Sequence, residues 1–198
     1  MRSIIAWILF LFILSGCATR TVSNTPRTAI EQLLLSTAVD TAIDKISLPE
    51  LADKKVYPDF SNLHSYDSEY VKSAFRAYIA SGGAIILEKP EEADYIVNIS
   101  CGALGNEYKD TLLGIPALPV PGSPMTLPEL ALWKHVERDG IAKFLVTVYT
   151  NGKIVSTKHY YGKAERDESF FLWMRSQPKD DIRKAWEKAE ESIEKKNN

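Results

Sequence analysis

The dipeptide Asn151-Gly152 constrains this chain more than any other local feature. It separates two runs rich in β-branched and aromatic residues, Ile141 to Thr150 and Lys153 to Tyr161. Asn-Gly in that setting predicts a two-residue hairpin with a type I′ turn, because both central residues must take positive φ, which Asn tolerates and Gly adopts freely. A lone hairpin is marginal in water, so further strands must complete a sheet. Asp94 to Ala103 alternates cleanly, with Tyr95, Val97, Ile99 and Cys101 on one face and Ile96, Asn98 and Ser100 on the other. Lys55 to Phe60 and Ala84 to Leu87 read as shorter strands. Leu130 to Val136 fits strand or helix and is assigned to strand.

Three segments carry helical periodicity. Thr25-Pro26 reads as a helix start, with Thr25 at the N-cap and Pro26 in the first turn. Ile30, Leu33, Leu34, Ala38, Ala42 and Ile46 then recur at three- and four-residue spacing, and Leu35, Val39 and Ile43 add a second apolar row. A helix this apolar is expected to be buried on more than one side. A second helix is capped at Asp67 or Ser68, presents Tyr70, Val71, Ala74, Phe75, Tyr78 and Ile79, and stops at Gly82-Gly83. A third spans Asp180 to Lys195, with Ile182, Ala185, Trp186, Ala189 and Ile193 in phase. The predicted order is α-β-α-β-β-loop-β-β-β-α. It describes an α/β (α+β) fold with a single mixed, largely antiparallel sheet and helices mainly on one face. Residues 25–195 are expected to form one globular domain.

The stretch Leu112 to Pro128 differs from its surroundings. Pro116, Pro119, Pro121, Pro124 and Pro128 exclude a regular helix or an interior strand there. Leu112, Leu113, Ile115, Leu118 and Val120 nevertheless make it apolar. Two readings follow. The segment is either a long connection folded over the sheet edge, its leucines completing the core, or a preordered apolar surface offered to a partner or to lipid. A second apolar group is the aromatic cluster Tyr160, Tyr161, Phe170, Phe171 and Trp173 around an expected turn from Gly162 to Glu168. It suits a core, or a surface that docks a protein or glycan.

The amino terminus carries an address. After Met1-Arg2-Ser3, the run from Ile4 to Leu14 contains no polar side chain. That run is too short to span a bilayer and fits the apolar region of a secretory signal. Leu14-Ser15-Gly16-Cys17 follows, and this resembles the bacterial lipobox. The resemblance implies cleavage between Gly16 and Cys17, a diacylglyceryl thioether on the Cys17 thiol, and acylation of the new amino terminus. Two or more acyl chains give a stable membrane anchor, where one gives only marginal binding. Residues 1–16 are thus expected to be a signal peptide and 17–24 a lipidated tether. Ala18 stands where an Asp would resemble the inner-membrane retention signal of enteric bacteria, which favours the periplasmic face of the outer membrane.

Removing residues 1–16 from the chain still leaves enough length for one domain with a sizeable core. The net charge of −2 becomes −3 on loss of Arg2, so there is no basic field to attract nucleic acid. Cys101 is the one cysteine left after lipidation, which excludes an internal disulfide. It is read as a small buried hydrophobe, the alternative being an exposed redox-sensitive thiol. His64, His135 and His159 show no metal-ligand spacing and are expected to be solvated or on sheet edges. No Gly-x-Ser-x-Gly elbow or phosphate-binding loop occurs, and the adjacent carboxylates Glu91-Glu92 and Asp180-Asp181 diverge in any regular element. No catalytic residue, metal or cofactor is predicted.

Thr25 to Asp40 (TPRTAIEQLLLSTAVD), Glu92-Ala93-Asp94 before a strand, and Leu113-Gly114-Ile115-Pro116 together resemble a family of uncharacterised bacterial lipoproteins over most of the mature chain. The family, a domain of unknown function, implies no catalytic residues. At the level of fold, Glu92-Ala93-Asp94-Tyr95 entering a long strand is similar to lipoproteins that activate peptidoglycan synthases and to the curli-secretion lipoprotein domain. The expectation is a lipid-anchored, non-enzymatic envelope domain that binds a protein partner or scaffolds an assembly. Its alternatives are a self-associating subunit of an envelope pore or secretion complex, and a cell-wall or lipid hydrolase.

Overall fold

The computed structural model describes residues 27–197 apart from Tyr66 and Trp173. The predicted signal peptide 1–16, the Gly16–Cys17 cleavage site, the tether 17–24 and the Thr25-Pro26 helix start lie outside the described residues. In chain order the elements are α1 (Ala29–Ile43), β1 (Lys55–Asp59), α2 (Ser68–Ser81), β2 (Ile85–Ile86), β3 (Tyr95–Ile115), β4 (Leu118–Pro119), β5 (Thr126–Leu127), β6 (Leu130–Thr150), β7 (Lys153–Phe171), β8 (Met174–Asp180) and α3 (Asp181–Asn197). Six strands form one sheet in the order β2-β1-β3-β6-β7-β8, and β4 pairs with β5 separately. β1 runs parallel to both β2 and β3, and the other pairs are antiparallel. The expected fold class therefore holds: mixed α/β, largely antiparallel, with helices packed against the sheet.

The helix α1 begins at a local cap. α1 starts later than predicted, at Thr28, whose hydroxyl accepts from the Glu31 amide while the Glu31 carboxylate accepts from the Thr28 amide. That reciprocal capping box satisfies two amides that the first turn leaves without partners. α2 is entered at Asp67, whose carboxylate pairs with Arg27 instead of capping its own helix. It ends at Gly82, followed by Gly83 at φ 87°. Asn151 (φ 48°) and Gly152 (φ 73°) form the predicted I′-type turn between β6 and β7.

The core lies where α1 and α2 press on one face of the sheet. Leu34, Ala38, Ala42, Val71 and Phe75 meet Val97, Ile99, Phe144, Val146 and Val148, all buried. Each fully buried large aliphatic or aromatic side chain contributes about 1.5–3 kcal/mol over its exposed state. Phe75 meets Phe144 edge to face at 5.2 Å. The approach of α1 depends on two glycines. A Cβ on Gly140 would stand 2.4 Å from the Leu34 carbonyl oxygen, and one on Gly162 only 1.8 Å from that of Ala38. Gly140 and Gly162 pair with Ala164 and Ala142, so the helix rests on a floor of small residues.

The long strands differ from expectation. Leu130 to Val136 and Ile141 to Thr150 are one strand, and Gly162 to Glu168 is a continuous part of β7, not a turn. The charged intervals that interrupt the apolar pattern pair across strands: Lys109 with Glu137 (3.2 Å), Lys163 with Asp139 (2.8 Å) and Lys179 with Glu165 (2.8 Å). Lys109 faces Glu137 in register, and the other two lysines reach their carboxylates on the diagonal; such cross-strand pairs sustain a ladder without apolar alternation. The third strand after the loop is the unpredicted β8. α3 buries Ile182 but leaves Trp186 and Ile193 exposed.

Candidate docking surface at the end of the sheet

α1 crosses the sheet over Asn106 on β3, Gly140 on β6 and Gly162 on β7; the Asn106 side-chain amide donates to the Glu31 carbonyl at 3.1 Å. β3 and β6 continue past this crossing, Asn106 to Ile115 pairing with Leu130 to Gly140. At about 3.3 Å per residue, the stretch from Asn106 to Ile115 carries this arm roughly 30 Å beyond α1. The predicted loop residues lie at its end. Leu112 pairs with Lys134, Leu113 with Trp133, Ile115 with Leu130 and Leu118 with Leu127, and the Val120 amide donates to the Met125 carbonyl at 3.0 Å. The segment does not fold back over the sheet edge, and its leucines do not complete the core. Leu112 and Val120 are half-buried, while Leu113 (62%), Ile115 and Leu118 are exposed. The prolines interrupt no long ladder: Pro116 follows β3, Pro119 lies in the short β4 and Pro128 precedes β6.

Residues distant in sequence join this surface. Met125 (69% exposed), Leu127, Leu130 and Leu132 come from the rest of the hairpin. Phe171, Leu172 and Met174 come from the β7–β8 turn. The turn is tied to the arm by the Leu172 amide, which donates to the Leu132 carbonyl at 3.0 Å. Of the aromatic cluster, Phe170 and Phe171 belong here, whereas Tyr160 is buried in the core far along β7 and Tyr161 beside it is exposed. Trp173 lies outside the described residues. The signals for the missing residues were the apolar runs Leu130-Ala131-Leu132-Trp133 and Phe170 to Met174.

Between the apolar tip and α1, the helix-side face turns polar. A groove of about 870 Å³ is lined there by Tyr108, Lys134, Arg138, Glu168, Phe170 and Leu172, among others. Glu168 is 7% exposed and lies among Arg175 (2.9 Å), Arg166 (3.3 Å) and Arg138 (3.6 Å). Burial alone would raise its pKa; the three guanidiniums outweigh it and hold the carboxyl below the ordinary range. The Arg138 guanidinium also stands over the Tyr108 ring at 5.6 Å. Lys134 bridges Glu129 (2.9 Å) and Asp110 (3.0 Å), and these carboxylates outweigh its desolvation and keep its pKa raised. The groove's charges are thus paired among themselves, which fits a structural lattice better than a reaction centre.

The opposite face carries one chain of catalytic residue types. The Ser169 hydroxyl is 2.7 Å from His135 Nδ1, and His135 Nε2 is 3.3 Å from Glu137. His135 lies on an interior strand, half-buried and stacked on Trp133, not at an edge. Lys109 shares the Glu137 carboxylate. The arrangement is a cross-strand hydrogen-bonded pair with a surface ion pair. His64 and His159 are exposed. Asp180 and Asp181 diverge as predicted: the first accepts from the Arg183 amide, the second from the Glu165 amide. Cys101 is half-buried against the core, and burial pushes its thiol pKa up. Among the described residues no group of His, Cys, Asp and Glu is placed to hold a metal, and no helix is long and apolar enough to cross a membrane.

A family of unknown function (DUF6655) matches residues 12–158. The chain belongs to this family. The DUF6655 match takes in Gly16, Cys17 and the whole β3–β6 arm, and ends within β7. The Phe170-to-Met174 part of the apolar surface lies beyond it. No curated protein matches the chain.

Proposed function

We propose that this chain is a lipid-anchored cell-envelope protein, held by acyl chains on Cys17 at the periplasmic face of a membrane, with the outer membrane favoured by Ala18. Its globular part is a non-enzymatic docking domain, and the docking element is the end of the β3–β6 arm. The observation that supports this most is a gathering of large apolar side chains, each about half exposed or more, at one end of a sheet whose core is elsewhere: Leu113, Ile115, Leu118, Met125, Leu127, Leu130, Leu132, Phe171, Leu172 and Met174. A contiguous exposed apolar patch on an otherwise charged protein marks an interaction site. The anchor rests on Leu14-Ser15-Gly16-Cys17 and the apolar run before it.

Mass spectrometry of the protein purified from membranes tests the anchor. The expected amino-terminal peptide starts at Cys17 and carries a diacylglyceryl group and an N-acyl chain. In a Cys17→Ala variant the lipid is absent and membrane fractionation is lost, with the circular dichroism of the folded domain unchanged. A wild-type chain that still begins at Met1, or an alanine variant that stays in the membrane fraction, overturns the lipid anchor.

A further inference from the structure

We propose that the occupant of the arm tip is the bilayer itself: the tip is a shallow lipid wedge that enters the interface of the membrane to which Cys17 is tethered. This rests on the lipid-anchored docking reading and gives its docking element a partner. The first support is charge. The stretch from Thr111 to Pro128 includes no charged side chain, while Lys109, Asp110, Glu129, Lys134 and Arg175 ring the base of the tip. A charged collar below an uncharged end suits a boundary between water and hydrocarbon, and Trp133, Phe170 and Phe171 stand at collar height, where aromatic rings favour the membrane interface. The collar mixes both signs, so entry depends on apolar burial and not on anionic headgroups.

The second support is that both faces of this sheet end are apolar. Leu113, Trp133 and Phe171 share one face by register, while Leu130, Leu132 and Leu172 line the groove on the other. A protein partner with one complementary surface would cover one face of this single-layered sheet end; a fluid phase closes around both. Backbone chemistry agrees at the β4–β5 hairpin. Amides that enter lipid must be satisfied internally, and Pro116, Pro119, Pro121, Pro124 and Pro128 have no amide hydrogen to satisfy. Hydrogen bonds from the Val120 amide to the Met125 carbonyl and from the Ser123 amide to the Val120 carbonyl close the β4–β5 hairpin.

The third support is reach. The segment from Cys17 to Pro26 separates the lipidated cysteine from Arg27 beside α1, and a segment of about ten residues extends at most about 35 Å. The arm projects about 30 Å from the same helix. One bilayer can therefore hold both the acyl chains and the tip, and the tether gives the wedge a high local concentration of its target.

The test uses the full lipidated protein reconstituted in phosphatidylethanolamine–phosphatidylcholine vesicles that carry bromine near the top of the acyl chains. A fluorophore is placed at Met125→Cys, or at Lys153→Cys beside the β6–β7 turn, each in a Cys101→Ser background. If the tip enters the interface, the Met125 label is quenched at least about threefold more than the Lys153 label, since insertion of about 5–10 Å reaches the brominated layer. In a Leu113→Glu/Leu130→Glu variant, whose fold is checked by circular dichroism, the quenching should drop to the Lys153 level. A vesicle-bound protein whose Met125 label is quenched no more than the Lys153 label overturns the wedge while leaving the anchor standing. Photo-crosslinking from position 125 in cells then separates a second copy or another envelope protein, which keeps the docking reading, from no product, which removes it. Failure of the wild-type chain to stay on vesicles overturns the anchor and the wedge together.

Discussion

Replacing Gly162 by Ala should cost more than any other single-methyl change in the sheet. The added Cβ would stand 1.8 Å from the Ala38 carbonyl oxygen and 2.8 Å from the Ala42 nitrogen, both backbone atoms of α1. Ordinary contact begins at 3.4 Å, so the helix must retreat by nearly the whole of that shortfall at Ala38. It cannot do so alone, because Leu34, Ala38 and Ala42 are fully buried against the sheet and the Tyr70 hydroxyl donates to Asp40 from α2 at 2.7 Å. Overpacking costs typically about 1–3 kcal/mol, and a clash with backbone on a doubly packed helix belongs at about 3 kcal/mol. Alanine's lower conformational entropy in the unfolded chain offsets less than about 1 kcal/mol of this.

Urea unfolding reads the cost directly. With a net cost of about 2–3 kcal/mol and a slope of about 2 kcal/mol per molar, the midpoint should fall by about 1–1.5 M. Gly105→Ala is the control: it lies on β3 with no heavy atom within 4 Å of the added carbon, and should stay within about 0.5 kcal/mol of wild type. Gly140→Ala, 2.4 Å from the Leu34 carbonyl oxygen, pushes on the same helix, so the double variant should lose less than the sum of the singles. A Gly162→Ala midpoint that matches the Gly105→Ala midpoint refutes the helix-on-glycine packing.

Thr28→Ala removes the hydroxyl half of the capping box and should cost about 1 kcal/mol in the same assay, while Glu31→Ala removes the other half, the carboxylate that accepts from the Thr28 amide. Glu168→Gln leaves Arg138, Arg166 and Arg175 around a neutral amide. Breaking a buried pair costs about 3–5 kcal/mol, reduced here to about 2–3 kcal/mol because Arg175 is half exposed. Glu165 is held at about 2 by Lys163 and Lys179, and Glu168 is also depressed. A carboxyl depressed in the folded state stabilises fully above its unfolded pKa, about 4.3, and the gain is lost as pH falls through the folded value. The urea midpoint should therefore drop between about pH 5 and 2, and Glu168→Gln or Glu165→Gln should flatten that slope; an unchanged slope in both would remove these groups from the acid response.

The sheet's antiparallel half was legible at Asn151-Gly152 because a type I′ turn needs positive φ at two consecutive positions and few dipeptides supply it. The faces of β3 were legible because Val97 and Ile99 alternate with polar residues against a buried layer. The length of β6 and β7 was not. From Glu137 to Gly140 and from Gly162 to Glu168 the ladder is carried by ion pairs to residues on neighbouring strands, and single-strand periodicity holds no record of them. The start of α1 was misplaced because Pro26 in the first turn is a common helix signal, whereas Thr28 and Glu31 act as a cap only through mutual hydrogen bonds. At the tip, the apolar residues from Leu112 to Val120 stood out by lying among prolines. Leu132 and Leu172 did not, because what unites them is one backbone hydrogen bond between segments far apart in the chain.

Leu172 separates folding from function most sharply. It occupies the tight β7–β8 turn at φ +52°, a region that disfavours residues with a Cβ and suits glycine. It is also 47% exposed, so the turn bears backbone strain of about 1 kcal/mol or more and leaves much of a leucine in water. Backbone conformation alone would favour glycine here. Leu172→Gly should therefore leave the urea midpoint unchanged or raise it by up to about 0.5 M, while reducing the bromolipid quenching of a Met125 label on vesicles. The buried half of the leucine about offsets that strain, which leaves its exposed half free for an occupant outside the chain. If Leu172→Gly instead lowers the midpoint by about 0.5 M or more (about 1 kcal/mol), the leucine is packing the groove beside Leu132, and its exposure is no argument for a membrane.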